Sequence, residues 1–438
     1  MRLGRSARIG GSRCAPCGGK FAKKVRLRRL CYDHPPNSRA ACRDVSLTSV
    51  HSTGAAGAPP RGAGDGLFDA PSYADWVRGA MRIKAARPDV SILFESTIAE
   101  PTEELVAMVR EAFSQEVTSR YVSVFADGNR YAIDAVAKRY GLSADQIVAT
   151  TGATGALVMA FKALVSPGDH VLVERPGFDF LSRLAQEAGS VVEEFARPAP
   201  TYDVDLDDLR ARLTPRTRAV LITNLHNPTG AWLRPERIAA IAEAADLVGA
   251  VLLVDEVYAD FAAASGAPPA ATLAANIVTV SSLTKVFGLF ALKFGWLAGD
   301  ADLVARLRAG APDGDMGVSK LSHAVAAHVL ETPAAFEAHW KAVLAATRPV
   351  VRGHVDALVA DGLLAGDLPP HGCMYFPRVV GVDDTRALAQ RLLSEFDVLV
   401  APGEYFGAPG YIRIGYGADA PAIDQGMLRL RAGLAALR

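Results

Sequence analysis

Lys285 closes the segment Ser281-Ser282-Leu283-Thr284-Lys285, directly after the apolar run Ile277–Val280. An amine held beside hydroxyls and aromatics can act as a Schiff-base nucleophile toward a carbonyl group. The same residue on an open loop is an ordinary surface lysine. Asp255 ends the run Val251-Leu252-Leu253-Val254 and is followed by Glu256, Val257 and Tyr258. An acid at the end of a buried strand can hold a cationic group of a ligand, or it can cap a helix. Thr150-Thr151-Gly152-Ala153-Thr154-Gly155 joins a strand to a helix. Glycine there lets backbone approach an anion, and a helix N-terminus offers free N–H groups and a positive dipole end. The segment suits a phosphate cradle, yet it is neither a P-loop nor a G-x-G-x-x-G fingerprint. Asn227-Pro228-Thr229-Gly230 reads as a turn after the apolar stretch Ala219–Asn224.

These pieces make one site only if the elements carrying them end on the same side of a sheet. The sequence favours that. Gln146–Thr150, Val171–Glu174, Ala219–Asn224, Val251–Asp255, Ile277–Ser281 and Phe294–Ala298 read as strands. Helical stretches lie among them at Ala153–Leu164, Phe180–Ala188 and Arg234–Leu247. Strands alternating with helices imply βαβ units and a mostly parallel sheet, and continuous apolar strands are buried on both faces. In such sheets ligands bind outside the carboxyl ends of the strands. After about residue 310 the texture changes to Ala-rich helices, Leu321–Glu331 and Ala334–Asp361, then short strands at Met374–Val379 and Tyr411–Gly415. Asp384–Glu395 and Ala422–Leu437 read as further helices. This is the pattern of a second, α+β part.

The chain has 438 residues, 50% of them hydrophobic and 21% charged, enough for a substantial core in one or two domains. Lysines and arginines (47) balance aspartates and glutamates (47), so no global field favours nucleic acid or an acidic membrane. No apolar run is long enough to span a membrane. The balance hides a basic leader: residues 1–62 hold 13 Lys/Arg and only Asp33 and Asp44 as acids. Cys14, Cys17, Cys31 and Cys42 sit in it as well. It has no apolar periodicity and reads as disordered. Zinc binding, an Arg-rich targeting peptide, and an upstream extension outside the working protein all remain open for it. Only Cys373 lies in the folded body, which suits a reducing cytoplasm.

In chain order, Gly152-Ala153-Thr154, Asn227-Pro228-Thr229-Gly230, Asp255-x-x-Tyr258, Ser282-x-x-Lys285 and the late Arg413 resemble the pyridoxal-phosphate enzymes of fold type I. More narrowly they resemble the class I/II aminotransferases, over about residues 90–438. The resemblance implies an α/β fold, with a mostly parallel seven-stranded-type sheet sandwiched by helices. It implies a leader (1–66), a large cofactor-binding domain (119–310) and a small α+β domain (67–118 with 311–438). The implied cofactor is pyridoxal 5′-phosphate. Lys285 would carry it and move the proton between the substrate's α-carbon and the cofactor. Asp255 would pair with the ring nitrogen and keep it protonated. Tyr258 and Asn227 would bond the ring's 3′-oxygen, and Phe178 would stack on the ring. Gly152, Ala153 and Thr154 with Ser282, Thr284 and Lys293 would hold the phosphate. Arg413 would fork the substrate α-carboxylate, with Asn227 beside it. Tyr121 would reach the neighbouring subunit's site. The implied partners are an amino acid, a 2-oxo acid and a second copy of the chain, in the cytoplasm, with no nucleic acid and no membrane.

Some positions depart from the pattern. Lys293 stands where relatives keep an arginine, which retains the charge and loses the fork. His226 precedes Asn227, either facing the substrate and titrating near neutrality or filling a structural role. Tyr131-Ala132-Ile133 replaces the usual Leu-Arg after Gly128. Asp313 and Asp315 are candidates to favour a cationic substrate side chain. Three activities stay open: transamination, another pyridoxal-phosphate reaction such as a lyase, cyclase or oxidase, and a cofactor-binding regulator. The last would need a DNA-binding element, and the leader has no helix-turn-helix pattern. A shared fold does not by itself choose among them.

Overall fold

Val251-Leu252-Leu253-Val254 is apolar at four consecutive positions, so a strand made from it must be covered on both faces. The computed structural model of the chain describes residues 66–124, 128–310 and 319–437. The four leader cysteines, Asp313 and Asp315 lie outside the described residues. Seven strands build the central sheet: β1 (Ile147–Thr150), β2 (His170–Arg175), β3 (Val191–Ala196), β4 (Thr217–Thr223), β5 (Val251–Asp255), β6 (Ile277–Ser282) and β7 (Gly295–Gly299). Their spatial order is β1-β7-β6-β5-β4-β2-β3. Neighbours from β3 through to β6 pair parallel. β7 pairs antiparallel with both β6 and β1. The link from β6 to β7 holds only a short 3-10 turn, Phe290–Leu292. Without a crossover helix, the chain returns antiparallel.

Alternate residues of each strand feed two helical layers, as the strand period requires. Val251 and Leu253 pack with Leu157 and Phe161 of the Gly152–Leu164 helix. Leu252 and Val254 pack with Ile238 and Ile241 of the Pro235–Asp246 helix. β3 escapes sequence reading because it is an edge strand. Glu193 and Glu194 break its apolar pattern, and its burial is only partial along most of its length. Helices at Tyr73–Ala86, Arg130–Tyr140, Leu206–Arg212 and Ala301–Gly310 add to those read from the sequence.

A third cluster joins the N-terminal helix (Trp76, Ala80, Ile83) to C-terminal residues such as Leu392, Ile414 and Met427. Ala132, Ile133 and Val136 of the Arg130–Tyr140 helix belong to the same cluster. The single strand expected over Met374–Val379 is two short ones, Met374–Tyr375 and Arg378–Val379. Pro377 has no N–H for a ladder, and its carbonyl instead accepts from Ile412 N at 3.1 Å. Met374–Tyr375 pairs antiparallel with Ile412–Gly415, the strand that carries Arg413. Among the described residues no helix is long and apolar enough to cross a membrane, and no group of His, Cys, Asp and Glu is arranged to hold a metal ion.

Candidate active site

The chain segments leaving β1, β2, β4, β5 and β6 converge at their carboxyl ends on a cavity of about 430 Å³. Every site residue expected from the sequence lines it except Tyr121.

One end is built from backbone. Register sets Gly295 opposite Thr150 on one side and Ser282 on the other. A Cβ on Gly295 would lie 2.4 Å from the Gly152 carbonyl carbon and 2.7 Å from Ala153 N. Glycine therefore lets β7 touch the start of the Gly152–Leu164 helix. Gly152 takes φ +71° with open space around its missing side chain. Thr151, at the N-cap, gives that helix no side-chain cap, so first-turn N–H groups face the cavity as anion donors. Ser282 Oγ accepts from Thr284 N at 3.3 Å, which folds the two hydroxyl residues together beside this end. Lys293 is exposed, with φ 50° and its Nζ 3.3 Å from the Phe290 ring centroid. Partial burial and the nearby Lys285 lower its pKa.

Across the cavity, Asp255 Oδ1 accepts from Val257 N at 3.1 Å. Burial, opposed by that bond and by Lys285, pushes Asp255 up to about 6. A carboxylate held at this cost suits a cationic partner that would bring it down again. Lys285 is also lowered from its ordinary value, chiefly by burial, so more of it is the neutral, nucleophilic amine. Its backbone is fixed from the N-terminal segment: Thr97 Oγ1 donates to Thr284 O at 2.9 Å and Ile98 N to Lys285 O at 3.0 Å. The Tyr258 ring centroid lies 5.9 Å from Lys285 Nζ, with the Tyr258 hydroxyl 2.8 Å from Ser96 Oγ. Phe178 presents its ring at the cavity wall, 5.4 Å from that of Tyr73.

Arg413 is 1% exposed. Its Nη1 donates to Asn227 Oδ1 at 2.8 Å, and its Nη2 to Phe94 O at 3.0 Å and to the Tyr73 hydroxyl. Its Nε is buried with no protein partner, a donor left over for an anion. Asn227 is itself tied down. Its N–H donates to Thr223 Oγ1 at 2.9 Å, and Thr223 Oγ1 donates to Glu174 Oε1 at 2.5 Å. Glu174 pairs with Arg197 at 2.6 Å, both 0% exposed. His226 donates from Nε2 to Pro176 O at 2.8 Å and accepts at Nδ1 from Thr229 Oγ1 at 2.7 Å. Burial, then Arg197, hold it well below its ordinary pKa. Both nitrogens are used internally, so the structural reading of His226 holds. Tyr121 stands apart, 39% exposed, with Lys320 Nζ 4.1 Å over its ring.

Sequence reasoning missed Tyr73, Ser96, Thr223, Glu174 and Arg197. Glu174 and Thr223 had a usable signal, each being polar at the end of an apolar strand. Tyr73 had none.

The donor set fits pyridoxal phosphate: an uncapped helix start and hydroxyls for the phosphate, an acid for the ring nitrogen, an amine for the aldehyde, and an unspent guanidinium N–H. Comparison with known proteins agrees. The family model for aminotransferase class I and II matches residues 97–430. Capreomycidine synthase of Streptomyces vinaceus is 32% identical over 384 residues, 84% of this chain and 94% of that protein. A probable N-succinyldiaminopimelate aminotransferase of Mycobacterium tuberculosis is 35% identical over 297 residues, 64% of this chain and 72% of that protein. Among solved structures, the pyridoxal-phosphate-dependent cyclase OrfR superposes with a TM-score of 0.70 at 25% identity, over 84% of this chain and 98% of that one. The chain belongs to the class I and II aminotransferases, fold type I enzymes whose cofactor is pyridoxal 5′-phosphate.

Proposed function

We propose that the protein moves an amino group between an amino acid and a 2-oxo acid, with Lys285, Asp255 and Arg413 as its working groups. The observation that carries this is their convergence on one cavity floored by the uncapped helix at Gly152. Bound pyridoxal phosphate supplies a reactive carbonyl and an electron sink. The chain's residues do the rest. Gly152, Ala153 and Thr154, with Ser282, Thr284 and Lys293, hold the phosphate end. Asp255 keeps the ring nitrogen protonated. Tyr258 and Asn227 would bond the 3′-oxygen, and Phe178 would cover one ring face. Lys285 holds the cofactor, then its Nζ takes the proton from the substrate's α-carbon. Arg413 orients that carbon by binding the α-carboxylate.

The same reading divides the chain into a cofactor-binding part, 119–310, and a small part, 67–118 with 311–438. It makes the protein a cytoplasmic homodimer in which Tyr121 reaches the partner's site. Exposed Val117, Tyr121, Phe290 and Leu321 support a buried partner surface. A second reading, replacement or cyclisation on an amino acid, is favoured by the names of two relatives, a synthase and a cyclase. Single-turnover absorbance with an amino-acid panel separates the two. Transamination leaves the cofactor in its amine form until a 2-oxo acid restores it. Cyclisation returns the starting spectrum with no 2-oxo acid added.

A further inference from the structure

Tyr73 opens the Tyr73–Ala86 helix, just after the N-cap Ser72, and lies outside the 97–430 span that the family model matches. It nevertheless lines the cavity beside Lys285 and Arg413. Its position is fixed from two directions. Its backbone N donates to Asp179 Oδ2 at 2.8 Å, next to Phe178, and its ring meets Phe178 edge-on at 5.4 Å. Its hydroxyl oxygen accepts from Arg413 Nη2, while the Arg413 guanidinium carbon sits 5.0 Å from the Tyr73 ring and 4.8 Å from Phe406. A phenol that accepts from arginine still has its own hydrogen to give. Among the described residues that hydrogen has no acceptor.

We propose that Tyr73 is a substrate-carboxylate ligand: Arg413 fixes its oxygen, and its O–H is donated to the carboxylate that Arg413 pairs with. The proposal rests on Arg413 being the carboxylate site. The chemistry favours it, because an anion drawn to Arg413 meets the phenol already held against the same guanidinium. Packing alone does not explain the hydroxyl, since the ring contacts with Trp76, Tyr405 and Phe406 would serve a phenylalanine equally well.

The test uses the cofactor-loaded full chain and two probes: 3-phenylpropionate, and 3-phenylpropan-1-ol as its carboxylate-free counterpart. Binding is read from the cofactor's absorbance in the wild type, Tyr73→Phe and Arg413→Lys. A hydrogen bond to a charged group predicts that Tyr73→Phe weakens the carboxylate about tenfold to a hundredfold and leaves the alcohol unchanged. Arg413→Lys should weaken the carboxylate too. Wild-type affinity for the carboxylate in Tyr73→Phe, with the loss kept in Arg413→Lys, overturns the role of Tyr73 alone. Equal loss of both probes in Tyr73→Phe makes the residue structural and also overturns it. No carboxylate preference in the wild type, or none lost in Arg413→Lys, removes the underlying carboxylate reading as well.

Discussion

Asp255→Asn should make the cofactor-free protein more stable while spoiling its chemistry. Burial raises the carboxyl from an ordinary 3.8 to about 6. Between those values the folded state holds a proton that the unfolded state has released, so stability falls as pH rises through this window. Above about pH 6 the full cost is present, and a rise from 3.8 to about 6 corresponds to about 3 kcal/mol. Asp255 lines an open cavity and is only partly shielded, so this is a ceiling. Asparagine carries no charge to bury and keeps an oxygen to accept from Val257 N. Urea unfolding of both cofactor-free proteins should therefore show no difference near pH 3 and an advantage for the variant approaching 3 kcal/mol at pH 8. Taking the difference between the two proteins cancels the titrations that the Asp255 charge does not reach; Lys285 and Glu256 feel that charge and do not cancel. The loaded variant should turn over more slowly, because a neutral amide does not hold the ring nitrogen protonated. An advantage that is absent at pH 8, or that grows on acidification, would show that burial of the Asp255 charge carries no such cost.

Gly295→Ala drives a Cβ against the Gly152 and Ala153 backbone; it should cost about 1–3 kcal/mol and weaken pyridoxal-phosphate binding, both measurable by unfolding and cofactor titration. Arg197→Met leaves the Glu174 carboxylate buried without its partner and should cost about 3–5 kcal/mol, with part recovered in the double variant Glu174→Gln/Arg197→Met, as denaturant midpoints will read. Lys293→Arg puts a planar fork where we propose the phosphate is held and should tighten cofactor binding without altering the spectrum of the loaded protein; an equilibrium titration checks it.

The sheet and most residues lining the candidate site were legible because chemistry and apolar pattern coincide in this chain. Asp255 ends a continuous apolar strand and Ser282 one in which Ile277, Val278 and Val280 are apolar, so their strands and their place at the carboxyl edge could be read together. The Gly152 turn was readable because a βα junction needs a helix start there in any case. β3 was not, since Glu193 and Glu194 suit a sheet edge and look like loop residues. His226 was ambiguous in sequence because its role depends on Pro176 O and Thr229, and no spacing rule encodes the first of these. Tyr73 and Arg413 meet across 340 positions, a contact made by tertiary packing and carried by no local pattern.

We propose that Lys285, and not the nearby Lys293, is the residue to which the cofactor is bound. Borohydride reduction of the loaded protein makes that bond permanent, and peptide mapping by mass spectrometry then locates it. The expected result is a pyridoxyl adduct on Lys285, lost together with the visible absorption band in Lys285→Ala. An adduct on Lys293, or a band that survives the substitution, would contradict it.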